Sequence, residues 1–298
     1  MKVTVFGASG GQGRAQMRQL LAAGHKAVAA VRQPETLPAD WPAIAADYRD
    51  KTSLARAVTG AEVVFLTLPS TSLQRASDVM AAAEAVAQAA HAAGVGLLVF
   101  NSSMIVQDRP NGFAAHDARH AIRTRLFASG VPCISIQPVI YIDNLLCDWA
   151  WPDIVDDSMI RYPHKDTLDV SWISHDDTAR LMIAAAGRPQ LAGRAYNVGG
   201  AEALRGPALA ARLSSVAGRP IGFQTLPVPQ FAQRMVTAFA GTATLDTVAL
   251  TTALERIYSW YNESAERPFM VDMTSILAEL PVTLESFESW AARQRWTR

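Results

Sequence analysis

The stretch Lys2-Val3-Thr4-Val5-Phe6-Gly7-Ala8-Ser9-Gly10-Gly11-Gln12-Gly13-Arg14 decides the fold, because an apolar strand runs into Gly7, Gly10 and Gly13, spaced Gly-x-x-Gly-x-x-Gly, and then into a helix. In such a loop Gly7 permits a tight turn, Gly10 lets the backbone approach a pyrophosphate, and Gly13 allows close packing of helix on strand. Together with Ser9 and Gln12 these positions surround the helix N-terminus, whose unpaired N–H groups and partial positive charge suit a phosphate. The next segments add weight to the pattern: residues 15–23 continue as a helix, Gly24 ends it, and residues 27–31 read as a second strand, the spacing of a βαβ unit.

The second strand ends in Val31-Arg32, where the adenine ribose of a dinucleotide would lie about 20 residues beyond the glycines. No acid stands there to accept the 2′-hydroxyl of NAD(H). A guanidinium pairs with a 2′-phosphate and stacks on adenine, with Arg14 and Lys51 as helpers, so the sequence favours NADP(H) over NAD(H). A solvated surface role is the alternative for Arg32.

Half of the 298 residues are hydrophobic and the formal net charge is zero, enough for a sizeable core in one large domain or one and a half. With no basic surplus and no runs of like charge, attraction to nucleic acid or anionic lipid is not expected, and small molecules are the better partners. The chain enters its first strand directly, leaving no room for a signal peptide, and no apolar run reaches the ~18 residues of a bilayer span. A cytoplasmic location is therefore expected. Cys133 in a strand pattern and Cys147 in a helix pattern have no metal-ligand spacing and read as buried thiols.

Apolar runs at residues 3–6, 27–31, 43–46, 63–68, 96–100 and 132–136 read as strands with helices between them, among them the alanine-rich 81–93. Runs apolar on both faces indicate a parallel sheet covered on both sides, with ligands beyond the carboxyl ends of its strands. The expected fold is therefore α/β, a Rossmann-type doubly wound parallel sheet with a smaller mixed C-terminal substrate region. The nucleotide-binding domain is expected over 1–150, completed by 170–200, and the substrate region over 151–169 and 201–298. In that region Pro152 and Pro163 bracket an expected hairpin. Residues 207–217 and 229–261 read as helices, the latter broken near Gly241, and the tail closes with Leu284, Phe287 and Trp290 at helical spacing.

With these segments in place, the chain resembles the NmrA-like branch of the atypical short-chain dehydrogenases/reductases. The resemblance rests on Gly7-Ala8-Ser9-Gly10, on Ala46-Asp47-Tyr48-Arg49-Asp50, on Val99-Phe100-Asn101-Ser102-Ser103, and on Gly130-Val131-Pro132 leading to Gln137-Pro138-Val139-Ile140-Tyr141. Trp172-Ile173-Ser174-His175-Asp176-Asp177 and Tyr196-Asn197-Val198-Gly199-Gly200 complete it in order. It implies pyrophosphate contacts from the glycine loop, Arg32 at the adenine ribose, Asp47 and Tyr48 at the adenine, and Thr67, Leu68 and Pro69 at the adenosine ribose. It also implies that Pro138, Val139, Ile140 and Tyr141 pack at the nicotinamide. Asp47 as a turn cap and Tyr48 as a core residue are the plain alternatives.

Dehydrogenases of this superfamily place a Tyr four residues before a Lys, the phenol donating a proton. Aligned back from Gly130-Val131-Pro132, Ala115 stands at the Tyr position and Arg119 at the Lys position. Arg119 can hold the nicotinamide ribose; Ala115 donates nothing. Substitutes stand nearby: Ser103 at the family's hydroxyl position, His116 beside the vacant Tyr site as a proton donor at neutral pH, and Tyr141 after the sixth strand. An exposed helix position for His116 and a turn role for Ser103 remain open, and His164 and His175 are either cleft or structural residues.

Two functions fit. The first is an NADPH-dependent reductase of a small hydrophobic carbonyl, enone or quinone-like substrate, by direct hydride transfer without the Tyr-Lys pair and with Trp149, Trp151, Tyr162, Phe231 and Phe239 lining the cleft. The second is a non-catalytic NADP(H) sensor. The sequence leaves monomer and homodimer open.

Overall fold

The computed structural model describes all 298 residues, Met1–Arg298. In chain order the elements are β1 (Lys2–Phe6), α1 (Gly11–Ala22), β2 (Lys26–Val31), β3 (Ala43–Ala45), α2 (Lys51–Val58), β4 (Val63–Thr67), α3 (Ala76–Ala92), β5 (Leu97–Asn101), α4 (Ala114–Phe127) and β6 (Cys133–Pro138). They continue as α5 (Trp151–Asp156), β7 (Met159–Tyr162), α6 (His175–Ala186), β8 (Ala195–Val198), α7 (Gly206–Ala217), β9 (Gly222–Thr225), α8 (Val228–Phe239), α9 (Thr247–Glu263), α10 (Thr274–Glu279) and α11 (Phe287–Ala292). Contacts divide the chain into two compact units: Met1–Pro138, His175–Val198 and Thr274–Val282 form the first, and Val139–Ser174, Gly199–Met273 and Thr283–Arg298 the second.

The first unit is a seven-stranded sheet in the order β3-β2-β1-β4-β5-β6-β8 with every pairing parallel. Every residue of β4, β5 and β6 is buried, as both faces of a helix-covered parallel sheet require. The alanine-rich α3 turns Val79, Ala82, Ala83, Val86, Ala87 and Ala90 inward, where short side chains let the helix lie close to the sheet. α1 and α3 both stop where a glycine takes the left-handed conformation, Gly24 at φ 74° and Gly94 at φ 68°, the usual helix-ending geometry. Strand order reverses between β1 and β4, so the crevice at the carboxyl ends of these strands is the ligand position of a doubly wound sheet.

The second unit holds a two-stranded parallel sheet, β7 on β9. The hairpin expected between Pro152 and Pro163 is absent. Pro152 lies in the first turn of α5, where its fixed φ suits a helix start and its missing N–H costs nothing, and β7 finds its partner in the distant β9. Cys147 lies after a short 3-10 turn over Ile142–Leu146 rather than within a helix. The closing helix begins at Phe287 because Ser286 caps it, which leaves Leu284 outside. No helix of the chain is long and apolar enough to cross a membrane.

Candidate functional site

Four strand ends of the first unit converge on one groove of about 300 Å3. Phe6, Gly7, Ser9, Gly10, Gly11, Gln12 and Gly13 line it from β1 and α1, Ala30, Val31 and Arg32 from β2, Ala46 and Tyr48 from the β3 exit, and Thr67, Leu68 and Pro69 from the β4 exit. The glycines serve different ends. Gly7 has φ 82°, and a Cβ there would lie 2.5 Å from the Thr67 carbonyl oxygen. A Cβ on Gly13 would lie 2.2 Å from the Gly7 oxygen, so both are required by the protein's own packing. Gly10 is another matter: its φ of −82° and ψ of 164° suit any residue, and a Cβ there meets only the Gly7 oxygen, at an ordinary 3.6 Å. The fold therefore leaves room for a Cβ at position 10.

The first turn of α1 carries no acidic residue, and helix geometry leaves its N–H groups without intrahelical partners, so the groove floor suits an anion. Arg32 is exposed at one end, and the Tyr48 ring lies 6.1 Å from that of Phe6, centroid to centroid. A dinucleotide fits this donor set: backbone N–H groups and an open glycine for the pyrophosphate, a guanidinium and an aromatic ring at the β2 side.

Asp47 departs from the role the resemblance implies. Its Oδ1 accepts from the Arg49 N–H at 2.9 Å, its own N–H donates to Ser53 Oγ at 3.0 Å, and it is not among the lining residues, so it shapes the turn into α2. The two helpers expected for Arg32 are also engaged elsewhere. Arg14 donates to the carbonyls of Ser9 and Thr36 at 3.1 and 3.3 Å, and Lys51 borders a separate alanine-lined groove between α2 and α3.

At the carboxyl end of β5 the structure adds a residue that sequence reading missed as a participant. Asn101 is fully buried; its Nδ2 donates to Gln12 Oε1 at 3.0 Å and its Oδ1 accepts from the Ser103 N–H at 2.9 Å. Ser103 Oγ donates to the same Gln12 Oε1 at 2.8 Å, and Ser103 stands at φ 63°, in the left-handed region uncommon for a residue with a side chain. The available signal was a lone polar residue ending an apolar strand two positions before Ser103. Thr67, paired in register with Asn101, accepts at Oγ1 from Gln16 Nε2 at 2.9 Å.

Arg119 on α4 is fully buried and donates to the carbonyl oxygens of Leu68 and Pro69 at 3.4 and 2.7 Å, while Thr71 Oγ1 donates to the Ala115 carbonyl at 2.9 Å. Arg119 thus supports two of the three residues that line the groove from β4, a role the sequence did not disclose. His116 is buried as well, not an exposed helix residue. Desolvation lowers its pKa to about 4 against an opposing pull from Asp117, so at neutral pH it is a neutral imidazole. That revises its reading as a protonated donor at neutral pH.

Pro138 ends β6, and Val139, Ile140 and Tyr141 open the second unit, all buried, with Tyr141 bridged to Ile173. Within that unit Trp149 packs on Tyr162 and Phe231 with centroids 5.7 Å from each. Trp149 and Phe239 border a cavity of about 710 Å3 together with Cys147, Asp148, Gln233, Arg234, Thr237 and Ala238. Trp151 instead donates its indole N–H to the Arg295 carbonyl at 3.0 Å. His164 is enclosed by the rings of Tyr162, Trp172, Tyr258 and Phe269. His175, in the first unit, packs on the glycine loop, where a Cβ on Gly11 would come within 3.2 Å of its ring.

A parallel sheet with its glycine loop at the switch point defines a doubly wound, Rossmann-type protein with a second, smaller unit. The NmrA-like family model matches residues 1–290, and the chain belongs to that family. A (4-alkanoyl-5-oxo-2,5-dihydrofuran-3-yl)methyl phosphate reductase of Streptomyces griseus subsp. griseus is 34% identical over 233 residues, 76% of this chain and 77% of that protein. Among solved structures, a nucleoside-diphosphate-sugar epimerase of Staphylococcus aureus superposes with a TM-score of 0.77 at 20% identity, covering 98% of this chain and 100% of that one. The NADPH-dependent quinone oxidoreductase of Escherichia coli, solved with NADPH, gives 0.75 at 20% identity, covering 97% and 98%. At these identities the structural likenesses establish the fold.

Proposed function

We propose that the protein is an NADPH-dependent oxidoreductase that reduces a small hydrophobic acceptor whose carbonyl is conjugated, an enone or a quinone. The observation that carries the nucleotide reading is Gly10, a glycine that the fold leaves room to replace in a groove bordered by a helix N-terminus and Arg32. When bound, the nicotinamide supplies a hydride; the chain's task is to hold donor and acceptor in register. Gly7, Ser9, Gly10, Gln12 and Gly13 hold the pyrophosphate, Arg32 the adenine-ribose end, Tyr48 the adenine, and Thr67, Leu68 and Pro69, propped by Arg119, the adenosine ribose. Ser103 and Tyr141 are the hydroxyl-bearing residues assigned to the acceptor side.

Conjugation matters because Ala115 replaces the phenol and His116 is neutral, so no strong acid of the chain is assigned to the acceptor. An acceptor that delocalises the arriving charge takes its proton afterwards from solvent. The Streptomyces relative points the same way, since the compound in its name is an alkanoyl-substituted oxo-dihydrofuran, a ring alkene conjugated with carbonyl groups. Within the second unit, the cavity beside Trp149 and Phe239 has a size that suits a small ligand. Loss of NADPH absorbance with a panel of quinones, enones and simple ketones tests the proposal. Quinones or enones are expected to be turned over and simple ketones hardly. Rapid reduction of a simple ketone would sink the conjugation argument. Tight NADPH binding with no turnover on any acceptor would favour the second reading, an NADP(H) sensor, for which Ala115 is the observation.

Arg32 carries the expected preference for NADP(H). Arg32→Ala is expected to weaken NADPH by about tenfold to a hundredfold, the range of one charge-assisted hydrogen bond, and to leave NADH nearly unchanged. Isothermal titration with both nucleotides checks this, and equal losses would remove Arg32 as the residue that reads the 2′-phosphate.

A further inference from the structure

Gln12 stands in the first turn of α1 and lines the groove, yet its side chain is set by a different strand. Two donors, Asn101 Nδ2 and Ser103 Oγ, converge on its Oε1 at 3.0 and 2.8 Å. A carboxamide has an acceptor end and a donor end, and holding the oxygen against β5 fixes which is which. Asn101 can do this because it is itself fixed: it is fully buried, it sits in register with Thr67 in the middle of the parallel sheet, and its Oδ1 takes the Ser103 N–H. That last bond also holds Ser103 in its left-handed conformation, which keeps the second donor aimed at Gln12. With either end of the Gln12 amide able to turn outward, a phosphate would meet a donor or a repelling oxygen; the pair Asn101 and Ser103, at and just beyond the end of β5, removes the choice.

We infer that Asn101 is a positioning residue for the dinucleotide: acting with Ser103, it locks the Gln12 carboxamide so that its N–H2 end, not its oxygen, is presented to the pyrophosphate. This rests on the nucleotide reading of the groove and extends it from the residues that touch the cofactor to one that orients them. It also gives Ser103 a task independent of proton transfer.

The test is a double-mutant cycle read by direct NADPH and NADH binding. Asn101→Asp keeps the shape and the acceptor for the Ser103 N–H but replaces the donor facing Gln12 with an oxygen, so the carboxamide turns and offers its own oxygen to the groove. The expected loss is roughly thirtyfold for both nucleotides, within the range of a lost charge-assisted hydrogen bond. In a Gln12→Ala background the same substitution should cost only about threefold, since the added charge acts in both backgrounds and the turned amide in one. Adenosine 2′-monophosphate, which has no pyrophosphate, should bind every variant alike. Should Asn101→Asp also lose that fragment, the cycle of Ser103→Ala with Gln12→Ala decides by the same criterion, a loss that vanishes when Gln12 is gone. Equal losses in both backgrounds, or no loss at all, would overturn the assignment while leaving the cofactor reading intact. A wild-type protein that binds neither nucleotide would overturn both.

Discussion

Gly10→Val is expected to abolish NADPH and NADH binding while leaving the protein folded, with a stability within about 1 kcal/mol of the wild type because the entropic gain and the poorer helix cap offset each other. The two halves of that expectation come from separate facts. Backbone angles at Gly10 are those of ordinary extended chain, and its Cβ direction meets only one carbonyl oxygen at 3.6 Å, so a Cβ strains nothing. Replacing a glycine whose conformation any residue can adopt removes freedom from the unfolded chain, worth about 0.4–1 kcal/mol in favour of the native state for alanine. The side chain would lie at the loop that lines the groove, where a pyrophosphate must come within contact distance of the backbone. Valine's branched side chain keeps it out, and an affinity loss of at least about a thousandfold is expected, since without those N–H contacts the phosphates lose several charge-assisted bonds together. Titration with nucleotide, run beside thermal unfolding, checks both halves. The contrasting variants Gly7→Val and Gly13→Val should fail on stability, because their Cβ atoms would lie 2.5 and 2.2 Å from backbone oxygens. Undiminished affinity of Gly10→Val would mean that no ligand lies against this loop.

The glycine loop and the strand succession were legible in the sequence because each is local: spacing, hydrophobic period and turn residues act over a few positions. Arg32 was legible for the same reason, coming after a strand end that the period marks, and Tyr48 through the family resemblance; both line the groove. What escaped was non-local. Nothing near position 119 says that its guanidinium reaches the Leu68 and Pro69 carbonyls some fifty residues earlier, or that burial keeps His116 neutral. Asp47 reads two ways in one dimension, as a turn-forming acid or as an adenine contact, and its bond from the Arg49 N–H supports the turn. Asn101 went unnoticed as a participant because the partner that gives it a task, Gln12, lies on a distant segment of the chain. The hairpin expected around Pro152 failed on a local ambiguity, since proline opens helices as readily as it bounds turns.

Two buried histidines should make the protein acid-labile well above the pH at which its carboxylates protonate. His164 lies at 2% exposure among aromatic rings, neither of its ring nitrogens has a hydrogen-bonding partner in the protein, and desolvation lowers its pKa to about 3. His116, in the other unit, falls to about 4 for the same dominant reason. For a histidine whose folded pKa lies below its unfolded value near 6.5, the unfolded state binds the proton first. The stabilising term is therefore complete above about pH 6.5 and drains away as pH falls toward the folded pKa. At pH 5 each site should have lost about 2 kcal/mol relative to pH 7, so each unit loses a substantial part of a stability that is commonly only about 5–15 kcal/mol. His164→Phe supplies the decisive comparison. Phenylalanine preserves the ring packing against Tyr162, Trp172 and Phe269, removes two buried polar atoms, and cannot titrate. Urea unfolding measured at pH 7 and pH 5 should show the variant equal to or above the wild type at pH 7 and about 2 kcal/mol less sensitive to the drop in pH. A variant that loses as much as the wild type on acidification would mean that His164 is not a source of the acid sensitivity.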